Sequence, residues 1–479
     1  MRNDCDLTIE ALAPLLRSKK LSPVELTRFL LERISALQPV INAYITVTAD
    51  LAMLQARRAE KEIVKGRYRG PLHGIPISIK DLFYTRGIRT TAGSKVLKNF
   101  VPEENAAVVN RLLESGCVLL GKTSLHEFAF GVTNVNPHYG PVRNPWDVNR
   151  ISGGSSGGSA ASVISAQAIA SFGTDTGGSI RIPSAACGCV GFKPTYGRVP
   201  LDGVIHLSAS LDHAGPLSRC VMDAAFLFDV VADYGLWNSS PDRAIAEMRR
   251  GIGSFRIGVP RQYFFDRLQT AVRNAIMVAI DVFQQLGARI SEVDLKGMDE
   301  TAWLAAEITG DEAFAYHQKW LEQRSQDYGK DVRLRLQQSG KATAALYIQA
   351  QQRRLAYAQR LAEALNSVHV LLAPTLPVVA PRIDEKEVRA GRSTEDVRLA
   401  LLRLTRPGNL AGLPAISIPC GFSPEALPVG LQLIGRRSDE TTLLRAAYAY
   451  ERATPWHRQF PQDAACIRGG EAINGTMPT

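Results

Sequence analysis

Residues Ile151 to Val199 read ISGGSSGGSAASVISAQAIASFGTDTGGSIRIPSAACGCVGFKPTYGRV. Two serines in this stretch stand among glycines, Ser155 in GGSSGG and Ser179 in TDTGGSIRIP. Glycine admits close backbone approach and positive φ, so each hydroxyl sits where a tight bend can form. Between them SAASVISAQ is small and tolerant of helix, and AIASFG is a short apolar run with the character of a buried strand. The order is loop, helix, strand, loop, with one serine in each loop. A serine hydroxyl is a poor nucleophile until a base takes its proton. No histidine lies between His138 and His206, so the stretch does not carry a base of the usual kind.

The same block resembles the signature of the amidase signature family. The resemblance continues in GIPISIKDLF, where Lys80 follows Ile75–Ile79, and in RTTAGSK, GKTSLHEFAFG and NPWD. It resumes in NLAGLPAISIPCGF and PVGLQLIGR, and so covers the chain from about Leu21 to His457. It implies an α/β fold with a large mixed β-sheet flanked by α-helices on both faces, and an amidase activity that needs no cofactor and no metal. It also implies that Ser179 is the nucleophile, Ser155 a bridging serine preceded by a cis peptide bond, and Lys80 the base. Phe128-Ala129-Phe130-Gly131 resembles the segment that lines the acyl side of the family's site, which makes Ala129 a candidate substrate contact.

The chemistry is consistent with those roles on its own terms. A hydroxyl attacking an amide must lose its proton, and the departing amine must gain one. Serine–lysine arrangements are an established alternative to serine–histidine–aspartate. Lysine serves as a base only when neutral, so its pKa must fall from about 10.4 towards about 7–8. Burial moves it that way, and the apolar run before Lys80 suits a buried lysine. Asp81 would oppose the shift if it faced the same side, but alternation along a strand turns it to the other. Thr176, Gly177, Gly178 and Ser179 offer successive backbone N–H groups at a bend, the donors an oxyanion requires.

Composition excludes several other classes. Of 479 residues 45% are hydrophobic and 21% charged, ordinary values for a globular enzyme. No run of about 18 apolar residues is present, so no membrane span is expected. The start, MRNDCDLTIEAL, lacks the apolar segment of a secretory signal. Seven scattered cysteines suit reduced thiols and a cytoplasmic protein better than a disulfide framework. The net charge of +10 invites a nucleic-acid partner. It is spread out, however, without a run of five basic residues or aromatic–basic interleaving, so a solvated basic surface is expected instead.

Residues 1–65 read as an N-terminal helical segment packed on the core. Ser22-Pro23-Val24-Glu25 forms a capping box, followed by an apolar face of Leu26, Phe29, Leu30, Ile34 and Leu37. The resemblance implies that residues 66–460 form the amidase signature domain, with its core block at 150–200 and a variable helical wall at about 260–360 expected to select substrates. Within it, Asn105–Ser115 and Asp212–Leu236 read as helices, WNSSPDR as a polar break, and FRIGVP, HVLLAPTLPVV and LPAISIPC as strands. Residues 461–479 lose periodicity and gain glycine, and are expected to be a disordered tail.

Four patterns suggest other chemistry and are read otherwise. GCVLLGKT (116–123) fits the phosphate-loop spacing, but its interior is an apolar strand, leaving Lys122 a solvated or locally paired lysine. GGSSGG fits the nucleophile elbow, but NPWDVNRI before it reads as a loop. Cys187 and Cys189 have no second ligand pair nearby and read as small buried hydrophobes. Arg181 reads as a structural ion-pair partner of Asp175, and His457 as a packing residue.

Two functions compete within the resemblance. One is a free-standing amidase acting on a small-molecule amide, for which the family allows a homodimer. The other is the glutaminase A-type component of a tRNA-dependent amidotransferase, working with B- and C-type subunits. Arg335 falls where that component carries an arginine suited to the α-carboxylate of glutamine. Leu402 stands where it carries an aspartate. A glutamine site without the acidic partner leaves the α-ammonium unpaired, which favours the free-standing amidase. A scaffold that has lost activity is disfavoured because Lys80, Ser155 and Ser179 are all present.

Overall fold

Eleven strands form one mixed sheet in the computed structural model, which describes residues 7–233 and 241–461. In chain order they are β1 (Tyr44–Val47), β2 (Pro76–Lys80), β3 (Val118–Thr123), β4 (Ala170–Thr174), β5 (Val190–Lys193) and β6 (Ala214–Ser218). The remaining five are β7 (Arg256–Val259), β8 (Arg289–Glu292), β9 (Val370–Pro374), β10 (Ala415–Phe422) and β11 (Pro428–Gly435). Across the sheet the order is β1-β3-β2-β4-β6-β5-β10-β11-β9-β7-β8. This is the mixed α/β sheet that the resemblance implied.

The parallel core is β3-β2-β4, and every residue of the three strands is buried. Both faces of these strands are covered, so even the alternating polar residues of PISIK, Ser78 and Lys80, are buried, as are the small residues of ASFGT. Antiparallel pairings carry the sheet from β4 to β9, and parallel ones resume through β7 and β8.

The first long helix, Pro23–Ile41, begins where the capping box placed it. Ser22 Oγ accepts from the N–H groups of Val24 (3.1 Å) and Glu25 (3.2 Å). Leu26, Leu30, Ile34 and Leu37 are buried on its inner face, each contributing roughly 1.5–3 kcal/mol. The helix ends at Asn42 in the left-handed region. The chain then enters β1, which pairs antiparallel with β3 at the sheet edge. Residues 7–65 are therefore not wholly helical. Four residues between two helices are too few to show a strand period.

Three further local readings change. Residues 212–236 begin with a strand, because AGPLS is β6, and the helix starts only at Val221 and ends at Val231. Glycine and proline hid a central strand whose neighbours supply its pairing. The NPWDVNRI loop contains Asp147–Ile151, paired with Arg143–Asn144 in a hairpin outside the main sheet. A nucleophile elbow requires a strand of the main sheet at that point. Of the two expectations for Lys122, local pairing holds and solvation does not: it is fully buried, donates to Phe83 O (2.6 Å) and Thr90 Oγ1 (2.7 Å), and pairs with Asp81 (3.4 Å). GCVLLGKT contains no loop, since Val118–Thr123 is β3 throughout.

The wall expected near 260–360 consists mainly of helices Thr270–Gln285, Thr301–Arg324, Lys330–Gln338 and Ala344–Ala364. The first residues of the polar break (237–240) and the tail from 462 lie outside the described residues. No helix among the described residues is long and apolar enough to cross a membrane.

Candidate active site

Neighbouring parallel strands end side by side, and this brings Lys80 and Thr174 together. β2 and β4 pair with Ile79 opposite Phe172, so the last residues of both strands share one edge of the sheet. Lys80 Nζ donates to Thr174 Oγ1 at 2.7 Å and to Ser155 Oγ at 2.8 Å. Lys80 and Ser155 are fully buried and Thr174 nearly so. Burial brings the Lys80 pKa down to about 7, while the negative charges of Asp212 and Asp175 work against the shift. Asp81 turns away, as strand alternation requires, and accepts from the N–H and hydroxyl of Thr91.

Ser155 lies in the loop that opens the helix Gly157–Ile164, and the Gly154–Ser155 peptide bond is cis. Glycine is required two residues into that helix. A Cβ on Gly158 would lie 2.5 Å from the carbonyl oxygens of Ala43 and Ser124. Ser156 ties the two serine loops together, its N–H donating to Ser179 O (3.2 Å) and its hydroxyl to Thr174 O (3.1 Å).

The Ser179 loop is built around Asp175. Its carboxylate accepts from the N–H groups of Ile180 and Arg181, the Arg181 guanidinium and Asn409 Nδ2. Burial alone would raise its pKa, but Arg181 overrides that and holds the carboxyl well below the usual range. Arg181 is thus the buried structural partner expected from the sequence. Thr176 Oγ1 donates to Asp212 (2.6 Å), and Thr405 Oγ1 to Gly177 O (2.6 Å). Gly178 has φ +137°, and a Cβ there would lie 2.2 Å from Thr405 Oγ1. Within this bend the N–H groups of Thr176, Gly177, Gly178 and Ser179 have no acceptor among the described residues.

The bend opens onto a cavity of about 500 Å³ lined by Ser179, Thr176, Gly177, Ala129 and Phe130. The rest of its lining comes mainly from helix Thr301–Arg324, the end of helix Lys330–Gln338 and residues 398–406. Ser155, Lys80 and Gly178 do not line the cavity. Ala129 reaches the cavity in a left-handed turn (φ 58°). Its N–H is donated to His126 O at 2.8 Å, so it supplies no oxyanion donor; its carbonyl accepts no hydrogen bond from the described residues. Phe130 lines the cavity, whereas Phe128 packs away from it against His317, Trp320 and Tyr328. Cys187 and Cys189 are fully buried, and His457 packs near Pro419 and Tyr450.

The family model Amidase matches residues 25–444, most of the chain and all of this site. The chain belongs to the amidase signature family. Enzymes of this family act on amide C–N bonds, and so does this one. The chain is 41% identical to the A-type component of the Glutamyl-tRNA(Gln) amidotransferase of a Geobacter species, over 94% of this chain and 98% of that one. Among solved structures it is similar to an amidase with 36% identity and a TM-score of 0.87, over 93% of this chain and 99% of the other. It is also similar to the A-type component of the Glutamyl-tRNA(Gln) amidotransferase of Thermotoga maritima, with 33% identity and a TM-score of 0.78 over 96% and 98% of the two chains.

The structure adds residues that the signature block does not reveal. Thr174, Asp212, Thr405 and Asn409 hold the lysine and the Ser179 loop. Thr174 was legible in principle, as the last residue of the strand that must lie beside Lys80. Asp212, Thr405 and Asn409 come from distant segments that only the folded sheet brings near.

Proposed function

We propose that the chain hydrolyses a carboxylic acid amide to the acid and ammonia or an amine through an acyl-enzyme on Ser179. The observation that carries this reading is Lys80 Nζ at 2.8 Å from Ser155 Oγ, in a setting that leaves the amine half neutral near pH 7. Neutral Lys80 takes the proton of the Ser155 hydroxyl, and Ser155 takes that of Ser179 as its Oγ attacks the amide carbon. The resulting oxyanion is met by free N–H groups of the 176–179 bend. Ser155 returns a proton to the departing nitrogen while the Ala129 carbonyl accepts one of its N–H groups. Water then releases the acid by the same relay in reverse.

The named relatives favour a second reading, a glutaminase component that works with B- and C-type partners, over the free-standing amidase expected from the sequence. The cavity points towards the free-standing form. Leu402 lines it as an apolar residue, and Arg335 is already paired with Asp331 while lying 5.5 Å from the Phe130 ring centre. Either way the expected setting is the cytoplasm, with a small-molecule amide as substrate and no direct nucleic-acid contact.

Ammonia and amine release from glutamine and from aliphatic and aryl amides, by the chain alone and with B- and C-type subunits present, tests the choice. Turnover of non-glutamine amides by the chain alone supports the free-standing enzyme. Glutamine as the one substrate, or activity only once the B- and C-type partners are supplied, supports the amidotransferase reading and overturns the other.

A further inference from the structure

One wall of the cavity carries two arginines that no carboxylate among the described residues pairs with. Arg398, from helix Val397–Arg403, and Arg406, at the start of helix Arg406–Leu410, both line it. Arg406 is only 7% exposed, yet it makes no hydrogen bond or ion pair with any described residue. Arg398 likewise has no such partner, and its Nε is a buried donor left unsatisfied. Their neighbour Arg403 shows how this segment treats a structural arginine: it pairs with Glu395 and donates to the carbonyls of Tyr263 and Arg267.

The nearby carboxylates are committed or distant. Asp331 holds His126 and Arg335, and Asp396 caps its own helix through Leu399 N–H. Glu307 and Asp311 also line the cavity, but neither forms an ion pair with an arginine among the described residues. Burial, then the charges of Arg335 and Arg406, push the Arg398 pKa down to about 10 against the weaker opposing pull of Asp396 and Asp331, so these cations feel one another across the wall. A buried cation without a partner is costly, and a guanidinium fork matches a carboxylate with two parallel hydrogen bonds. Arg406 also stands close to the reactive loop: a Cβ on Gly177 would lie 4.0 Å from Arg406 Cγ and 3.1 Å from Leu402 Cδ2.

Building on the amidase reading, we propose that Arg398 and Arg406 form a subsite for a carboxylate, and that the preferred substrates are amides carrying such a second, anionic group. Monoamides of short dicarboxylic acids are the simplest members of this class, and their length suits a cavity of this size. Leu402 gives no acidic partner beside the subsite, so an ammonium next to the carboxylate gains nothing there.

Two measurements test the proposal. The first compares kcat/KM for succinamate and glutaramate with that for butyramide, in the wild type and in Arg398→Gln, Arg406→Gln and Arg406→Lys. The expected result is an acid-over-neutral preference that falls about 10- to 100-fold in each Gln variant, chiefly through KM, and is partly kept in Arg406→Lys. The second is calorimetric titration of succinate into Ser179→Ala, whose subsite is intact whether or not any amide is hydrolysed. Binding that weakens at least about 10-fold when Arg406→Gln is added supports the subsite. Equal preference for butyramide, unaltered by the Gln variants, overturns it, as does a failure of succinate to bind. A wild type inert towards every amide that still binds succinate keeps the subsite and overturns the hydrolytic reading instead.

Discussion

Lys80 and Thr174 end two neighbouring parallel strands, and the lysine Nζ donates to the threonine hydroxyl at 2.7 Å. This contact explains how a fully buried lysine is held without a carboxylate at its head. A directly paired acid would favour the ammonium and raise the pKa. Two hydroxyls, of Thr174 and Ser155, satisfy the amine without fixing its charge.

The activity should therefore rise with pH. The Lys80 pKa is lowered to about 7, mainly by burial, and the amine acts as a base only when deprotonated. kcat/KM is expected to increase through about pH 7 and level off above it, with the limb absent in Lys80→Met. A full pH profile of both proteins checks this.

Thr174→Val keeps the shape of the strand end and removes the lysine's second partner. The loss of one buried hydrogen bond, about 1–3 kcal/mol, should lower kcat by about 5- to 150-fold while leaving KM nearly unchanged. Steady-state kinetics with the best amide found reads both.

Asp175→Ala should act through structure. It leaves Arg181 buried without its anion and releases the N–H groups that shape the Ser179 loop. Breaking a buried pair in this way costs about 3–5 kcal/mol. Urea denaturation should show that loss together with loss of activity.

Much of the site was legible in the sequence because its parts are local. Glycines beside Ser155 and Ser179 signalled bends, and the small and apolar residues between them gave helix Gly157–Ile164 and strand β4. The apolar run before Lys80 pointed to burial, which the fold delivers. What stayed hidden depends on pairing. β1 is too short to show a period, and β6 carries glycine and proline, so each is a strand only because a neighbour completes it. Lys122 has the composition of a surface lysine and yet is buried, since Asp81, Thr90 and a carbonyl converge on it. Thr405 and Asn409 reach the Ser179 loop from more than two hundred residues away in the chain, beyond any local pattern.

The most direct test of the central claim is to find the acyl group. Quenching the enzyme with acid during turnover of a good amide and mapping the peptides by mass spectrometry should place the acyl mass on the peptide at Ser179, and nowhere in Ser179→Ala. An acyl group on Ser155, or steady turnover by Ser179→Ala, would contradict the account.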